Sequence, residues 1–411
     1  MKVVHLALSG AGGAGIAARR SVAALSASGI DARLWVGDGR PGCSERALIR
    51  PGLYRFRARL DRLALRIYRR RRLFSAWSNN WLPSPLPSAL RHARPDVLHC
   101  HWIGGGFVPL RELSKVDCPV VWSQHDAWAF TGGCHYPSEC LRFKDECGKC
   151  PQLGSQRVHD LSWWNRRARR QLNEWVAAWV FPSAWLAELS VASRIVTEEK
   201  AYVLPYGIDE PEFALGDRAS ARQKLGIPDT ALVMAGGAAD LGEPRKGFAL
   251  LPEAVARIAK MTGRECRVVV FGRSNRAFLE RLSVPVIDMG PLQPTEVATV
   301  FHAADLTLLP SLQDNLPNVA IESLACGCPV VGFNSGGFSE IIEQGQTGAI
   351  AKDSTAGGLA EAVVQWLATA PERQELAVRC RLCFDGRFAA EPHANGLRRI
   401  YENVLEVRRR R

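Results

Sequence analysis

A strand that breaks into a glycine turn and reopens as an alanine-rich helix is the opening unit of a parallel α/β layer, and this chain writes that unit twice. Residues 2–8 (KVVHLAL) are an apolar run of strand length, SGAGGAG at 9–15 supplies the turn, IAARRSVAALSASG closes on Gly29, and IDARLWV at 30–36 returns as the next strand. A strand joined through a helix to a parallel neighbour makes a right-handed crossover, which commits the region to a sheet covered on both faces. The pattern restarts with ALVMAG at 231–236, a loop of glycine and charge, a helix over 247–261 and the strand CRVVVFG at 266–272. Further strands are expected at 96–100, 119–123, 284–290, 304–310 and 329–333, a buried segment at 178–183, and helices over most of 162–178 and at 318–326, 356–369, 372–384 and 391–407.

A chain of 411 residues with two such openings reads as two consecutive Rossmann-like α/β domains, 1–205 and 206–390, followed by a closing segment 391–411 with a basic tail. The break lies in LPYGIDEPEF at 204–213. The composition, 47% hydrophobic and 23% charged, is that of an ordinary globular protein and excludes disorder or a fibrous repeat as the main account. No apolar run reaches the length of a spanning helix, and the N-terminal apolar stretch is too short for a signal peptide, so a cytoplasmic protein is expected. In open parallel sheets ligands collect at the carboxyl ends of the strands, so the crevice between the domains is the expected site.

Several groups stand at such strand ends. Gly13 and Gly15 sit where backbone N–H groups can meet an anion, although GAGGAG lacks the dinucleotide-binding spacing. GEPRKG at 242–247 precedes a helix and offers Arg245 and Lys246 to a pyrophosphate, and Arg273 follows the strand at 266–272. His125 and Asp126 follow the strand at 119–123. His101 ends the strand at 96–100, with His99 expected to point the other way and be structural. Asp314 lies in a loop and Glu322 one turn inside the following helix, where two carboxylates could grip vicinal hydroxyls or merely cap a helix.

This last stretch resembles the retaining GT-B glycosyltransferases of family 4. Asp314, seven residues and Glu322 match the family's paired acids, Gly327-Cys328-Pro329-Val330-Val331 its Gly-x-Pro-Val-Val, and 336–342 its GG-x-x-E-I-I; LPYGI with DEPEF, and GEPRKGF at 242–248, match as well. The resemblance implies that Glu322 grips the nucleotide ribose, that Asp314, one methylene shorter than the usual Glu, lies near the transferred sugar with Asn315 and Leu316 beside it, and that Lys246 meets the pyrophosphate. Asp240 stands where the family carries an arginine, and Arg245 and Arg273 are the candidates to replace that charge. His125 takes the place of a histidine close to the donor sugar, Gly13 and Gly15 that of the loop near the diphosphate, and His101 and Asp126 fall on the acceptor side. The implied donor is a nucleoside-diphosphate sugar of UDP or GDP type. The implied acceptor is a glycan or a polyprenyl-diphosphate-linked oligosaccharide, in the bacterial exopolysaccharide branch of the family. No catalytic metal is implied, and the final helix is expected to cross back to the first domain. The departures at Asp240 and Asp314 leave a non-catalytic scaffold of the same fold as the alternative.

Two features lie outside this frame. Four of the twelve cysteines, Cys134, Cys140, Cys147 and Cys150, crowd into an insertion over 131–153. Tetrahedral structural Zn2+ suits them, while disulfides, iron–sulfur ligation or free thiols stay open, and His135 is a further possible ligand. The net charge of +12 is concentrated over 46–72, with eleven arginines and the single acid Asp61. There Leu53, Phe56, Leu60, Leu63 and Ile67 fall on one helical face. Such a helix either lies on an anionic membrane surface, placing the protein on the inner face of the cytoplasmic membrane, or packs that face on the domain core. Nucleic-acid binding would need a recognisable module or aromatics interleaved with the charge, and neither is present.

Overall fold

A computed structural model describes residues 1–37, 45–71, 77–208 and 211–410. Asp209 and Glu210 of the DEPEF match, Arg72 of the basic segment and Arg411 of the tail lie outside the described residues. The chain divides into two compact units, Met1–Gly207 with Ala390–Arg411, and Ile208–Ala389.

The first unit is built on seven strands, β1 (Lys2–Ala7), β2 (Asp31–Val36), β3 (Glu45–Ala47), β4 (Val97–Cys100), β5 (Val120–Ser123), β6 (Ala178–Phe181) and β7 (Ala201–Val203), in the order β3-β2-β1-β4-β5-β6-β7. Every pairing is parallel, with Val3 opposite both Ala32 and Val97, and His5 opposite His99. The order reverses between β1 and β4, which makes their carboxyl ends the switch point where a ligand finds an opening. The strands are short and buried along their length, as sheets covered on both faces are. On one face Leu25, Leu397, Ile400 and Tyr401 close over Val3, Val97 and Val121, so the C-terminal helix Ala390–Arg409 belongs to this unit, packed against α1 (Gly12–Ala27). That helix continues through Arg409, so the basic tail is largely helical.

The second unit has six strands, β8 (Leu232–Asp240), β9 (Cys266–Arg273), β10 (Val286–Asp288), β11 (Leu306–Leu309), β12 (Val330–Phe333) and β13 (Gly348–Ala351), in the order β10-β9-β8-β11-β12-β13. All pairings are again parallel, with Leu306 opposite Met234 and Thr307 opposite Val330. Its switch point lies between β8 and β11. Among the described residues no helix is long and apolar enough to cross a membrane.

Candidate active site

Each unit carries its polar groups at its own switch point. In the second unit the loop after β8 turns through a single 3₁₀ turn, Pro244–Lys246, and ends on Gly247 at φ +68°. A Cβ there would stand 1.8 Å from the Pro310 carbonyl oxygen at the end of β11. Only glycine combines that left-handed backbone with so close an approach, and the approach brings Lys246 to the loop carrying Asp314. Lys246 Nζ lies 2.5 Å from Asp314 Oδ2, and Arg245 Nη1 3.3 Å from Oδ1. The Asp314 carboxylate also accepts the backbone N–H of Asn315. Burial would raise the Asp314 pKa, but Lys246 and Arg245 outweigh it and hold the carboxyl below its ordinary value of 3.8. Asn315 and Leu316 are buried beside it. Glu322 lies half-buried on the helix Asn318–Ala325, which begins directly after this loop.

Arg273 goes elsewhere. It stands opposite Asp240 in the β8–β9 register and pairs with it at 3.3 Å, exposed. Of the two arginines considered as replacements for the family's missing charge, Arg245 therefore joins Lys246 and Asp314, while Arg273 is taken up by Asp240.

In the first unit the turn after β1 opens α1 without a side-chain cap or an acidic first-turn residue. A Cβ on Gly15 would meet the Ser9 carbonyl oxygen at 2.3 Å, so Gly15 is needed for the helix to start against its own turn; a Cβ on Gly13 would meet nothing. The histidines form a continuous hydrogen-bonded string. Tyr206 Oη lies 2.9 Å from His125 Nδ1, His125 Nε2 3.1 Å from His101 Nδ1, and His101 Nε2 2.9 Å from His5 Nδ1. Tyr401 Oη follows at 3.4 Å from His5 Nε2 and 2.5 Å from His99 Nδ1, and His99 Nε2 ends on Ser123 Oγ at 2.8 Å. Desolvation is the leading cause that lowers all four imidazoles: His5 to about 3, His125 to about 4, and His99 and His101 well below 6.5.

Three sequence readings change here. His101 was expected on the acceptor side, but it is 2% exposed and its ring nitrogens are engaged by His5 and His125. His99 was expected to turn away from His101; residues two apart on a strand share a face, and the rings stack at 4.6 Å. Asp126 is spent locally: Oδ1 accepts the Trp128 N–H and Oδ2 holds His135 Nδ1 at 2.6 Å. His5, Tyr206 and Tyr401 were not singled out from the sequence. A histidine inside the apolar run of β1 was the available signal, since a buried polar group needs a partner.

The four cysteines of the insertion are free thiols, and burial pushes Cys147 up to about 12 and Cys134 higher still. Among the described residues the group of three or more potential ligand atoms lying within 4.8 Å of one another is His5, His99 and His101; the thiols form no such group. The convergence expected of a four-cysteine zinc site is therefore not found at these cysteines, and His135 is engaged by Asp126.

The basic segment also departs from one of its two readings. In α2 (Pro51–Asp61) and the 3₁₀ turn Leu63–Ile67 the apolar stripe faces outward, Phe56 58% and Ile67 76% exposed, with Leu53 and Leu63 exposed as well and Leu60 half-buried, while Tyr54 and Leu65 pack inward. Polar groups add to the attachment made by Tyr54 and Leu65. Arg57 donates to the carbonyls of Leu82, Pro83 and Phe107, and the Asp61 carboxylate accepts the N–H groups of Asn79 and Asn80.

Comparison with known proteins agrees with this organisation. A family model described as Glycosyltransferase Family 4 matches residues 11–211, and one described as Glycosyl transferases group 1 matches residues 230–369. A D-inositol 3-phosphate glycosyltransferase of Stackebrandtia nassauensis is 31% identical over 237 residues, 54% of this chain and 53% of that protein. The chain spans about half the length of the first curated relatives it matches. Among solved structures, the sucrose-phosphate synthase of Thermosynechococcus elongatus superposes with a TM-score of 0.69 at 17% identity, covering 99% of each chain. Anabaena Alr3699/HepE in complex with UDP-glucose gives 0.65 at 17% identity, again over 99% of each chain. Two parallel α/β units with this topology make the chain a GT-B protein. Within that fold each half is similar to a glycosyltransferase family model, the first to Glycosyltransferase Family 4 and the second to Glycosyl transferases group 1.

Proposed function

We propose that the chain transfers a sugar from a nucleoside diphosphate sugar to a glycan or lipid-linked oligosaccharide, with retention at the anomeric carbon. The observation that carries this reading is the Lys246–Asp314–Arg245 constellation at the second unit's switch point. The anomeric C1–O bond to the diphosphate breaks as the acceptor oxygen bonds C1 from the same face, and the acceptor's proton passes to the departing phosphate oxygen. Such a step needs the leaving group stabilised more than it needs a strong base. Lys246 and Arg245 supply the positive charge, and Asp314 keeps both cations in place until a diphosphate competes for them. Glu322 holds the ribose hydroxyls, the uncapped start of α1 at Gly13 and Gly15 offers N–H groups to the phosphates, and His125 contacts the sugar. UDP is the first nucleotide to test, since the Alr3699/HepE structure of the same fold holds UDP-glucose.

The outward apolar face of α2, ringed by arginines, supports attachment to an anionic membrane surface, where a lipid-linked acceptor would be met. The test of function is a thermal-shift panel with UDP, GDP, ADP and CMP. One nucleoside diphosphate is expected to raise Tm selectively, and Glu322→Gln to abolish that shift with the fold intact. A folded protein that no nucleotide stabilises would favour the non-catalytic scaffold.

A further inference from the structure

The hydrogen-bonded string of the first unit has a directionality that can be worked out from its own geometry. A neutral imidazole owns one N–H and one bare nitrogen. His125, His101 and His5 are each bonded through both nitrogens, so each must donate one way and accept the other. A single reversed ring would set two N–H groups, or two lone pairs, against each other. His125, His101 and His5 must therefore share one sense, all protonated on Nε2 or all on Nδ1, and His99 follows them when the Tyr401 hydroxyl donates to one neighbour and accepts from the other.

Tyr401 decides between them. Its oxygen is 2.5 Å from His99 Nδ1 and 3.4 Å from His5 Nε2. A separation of 2.5 Å lies below the roughly 2.7–3.2 Å of bonds donated by N–H, and a phenol O–H is a stronger donor to an imidazole nitrogen than an imidazole N–H is to a phenol oxygen. Tyr401 therefore donates to His99 Nδ1, which leaves His99 protonated on Nε2 and donating to Ser123 Oγ. The phenol has no second hydrogen, so at His5 it can only accept, from Nε2–H. His5 Nδ1 then accepts from His101 Nε2–H, and His101 Nδ1 accepts from His125 Nε2–H. His125 Nδ1 is left as an acceptor, filled in this structure by the Tyr206 hydroxyl.

We propose that Tyr401 is a positioning residue that, through His5 and His101, fixes His125 in the Nε2–H tautomer and makes its Nδ1 an acceptor for a ligand hydroxyl in place of Tyr206. This deepens the functional reading above and rests on it for the identity of that hydroxyl, a hydroxyl of the transferred sugar. It assigns His125 a sense the sequence left open: it receives a hydrogen bond from the sugar. The string is neutral near pH 7, because burial keeps all four imidazoles well below that range. It can therefore pass on an orientation of hydrogens without storing a charge. A metal ion on His5, His99 and His101 is the rival occupant. It would have to break the 2.9 Å His5–His101 bond, and His101 stacks on both His5 and His99, at 5.2 and 4.6 Å between ring centres.

The test is long-range ¹H–¹⁵N correlation on the full chain carrying ¹⁵N-histidine at pH 7, with His125→Gln to assign its signals. His5, His99, His101 and His125 are expected as pure Nε2–H tautomers. In Tyr401→Phe the string is cut, and His125, several bonds away, is expected to become a mixture of both tautomers. A role confined to packing would leave the tautomer of His125 unmoved. The proposal is overturned by Nδ1–H or mixed signals at His125 in the unsubstituted protein, by an unchanged His125 in Tyr401→Phe, or by nitrogens shifted by a bound metal that a chelator reverses. If Tyr401→Phe does not fold, the unsubstituted spectrum decides alone. Nucleotide binding is read separately by thermal shift. A correct tautomer pattern without nucleotide binding would sink the functional reading and leave the string standing; the reverse would sink the string alone.

Discussion

The two units share a parallel sheet and a switch point, yet they arm it differently. At the end of β8 and β11 the second unit gathers full charges, Lys246 and Arg245 around Asp314, half-buried and mutually compensating. At β1 and β4 the first unit gathers uncharged donors and acceptors, four imidazoles and two phenols in one string, with His5, His99 and His101 buried. The difference follows the chemistry each set can recognise. A diphosphate is met by charge, which tolerates small misplacements, whereas a sugar is met by hydroxyl-sized hydrogen bonds, whose sense and angle must be fixed beforehand. Under the proposed function the same topology serves two kinds of recognition, one carried by loops and the other reaching into β1, β4 and the C-terminal helix.

The sharpest way to break this contrast is Lys246→Met. Removing one preorganised donor from a site of developing charge costs about 10²–10³ in rate, and a loss of that size in transfer activity is expected. Stripping a partner from a buried ion pair costs about 3–5 kcal/mol when nothing replaces it. Arg245 still faces Asp314, so urea unfolding should show a loss toward or below the lower end of that range. Unchanged rates would remove Lys246 from the site. Gly247→Ala tests how the charges are brought together. It forces a left-handed backbone on alanine and a Cβ against the Pro310 carbonyl, and a loss of about 1–3 kcal/mol is expected by urea unfolding. Activity should fall with it, because the Lys246 loop can no longer reach the end of β11.

Acid sharpens the comparison from the other side. Burial lowers His5 to about 3 and His125 to about 4, and holds His99 and His101 well below the ordinary 6.5, so below 6.5 the unfolded chain binds protons that the folded chain does not. Stability therefore falls as pH drops through 6.5, by about 1.4 kcal/mol per pH unit for each such group. Asp314 is depressed below 3.8, so its contribution is present above that value and lost only as pH falls through its folded value. Hydrogen exchange between pH 7 and 4.5, corrected for the intrinsic rate, should show protection falling faster in β1 and β4 than in β8 and β11. Equal losses would mean that the string is not neutral and buried as described.

Most of the architecture was legible because its signals are local. Apolar runs of strand length, glycine turns and alanine-rich helices gave both sheets, and Gly247 and Lys246 were visible in GEPRKG. What could not be read depends on partners distant in sequence. His5 and Tyr401 are neighbours only because β1 lies under the C-terminal helix, and no spacing rule links them. The cysteines show the opposite failure: a close sequence spacing suggested a shared ion, but the thiols do not converge, whereas three histidines on β1 and at β4 do. Spacing constrains a site only when the backbone between the residues is regular, and residues 131–155 contain only turns, bends, one isolated bridge and one 3₁₀ turn.

The smallest expected effect on stability concerns the outward face of α2. Helical periodicity located the apolar stripe but not its direction, because an amphipathic pattern says nothing about which face meets the protein when the other is rich in arginine. Here the protein is gripped through Arg57 and Asp61, and Leu53, Phe56, Leu63 and Ile67 are left outside. Replacing Phe56 and Ile67 by serine removes no packed contact of consequence, so folding stability should change by no more than about 0.5 kcal/mol per site. Binding to vesicles rich in phosphatidylglycerol should nevertheless drop, since each buried apolar side chain contributes about 1.5–3 kcal/mol to insertion. Binding to neutral phosphatidylcholine vesicles should be weak in both proteins, because the arginines no longer find anionic headgroups. If the serine variant loses stability but keeps its vesicle binding, the stripe is part of the fold and the arginines act alone. If it keeps stability and loses binding, the helix is a surface element whose apolar side is reserved for the bilayer.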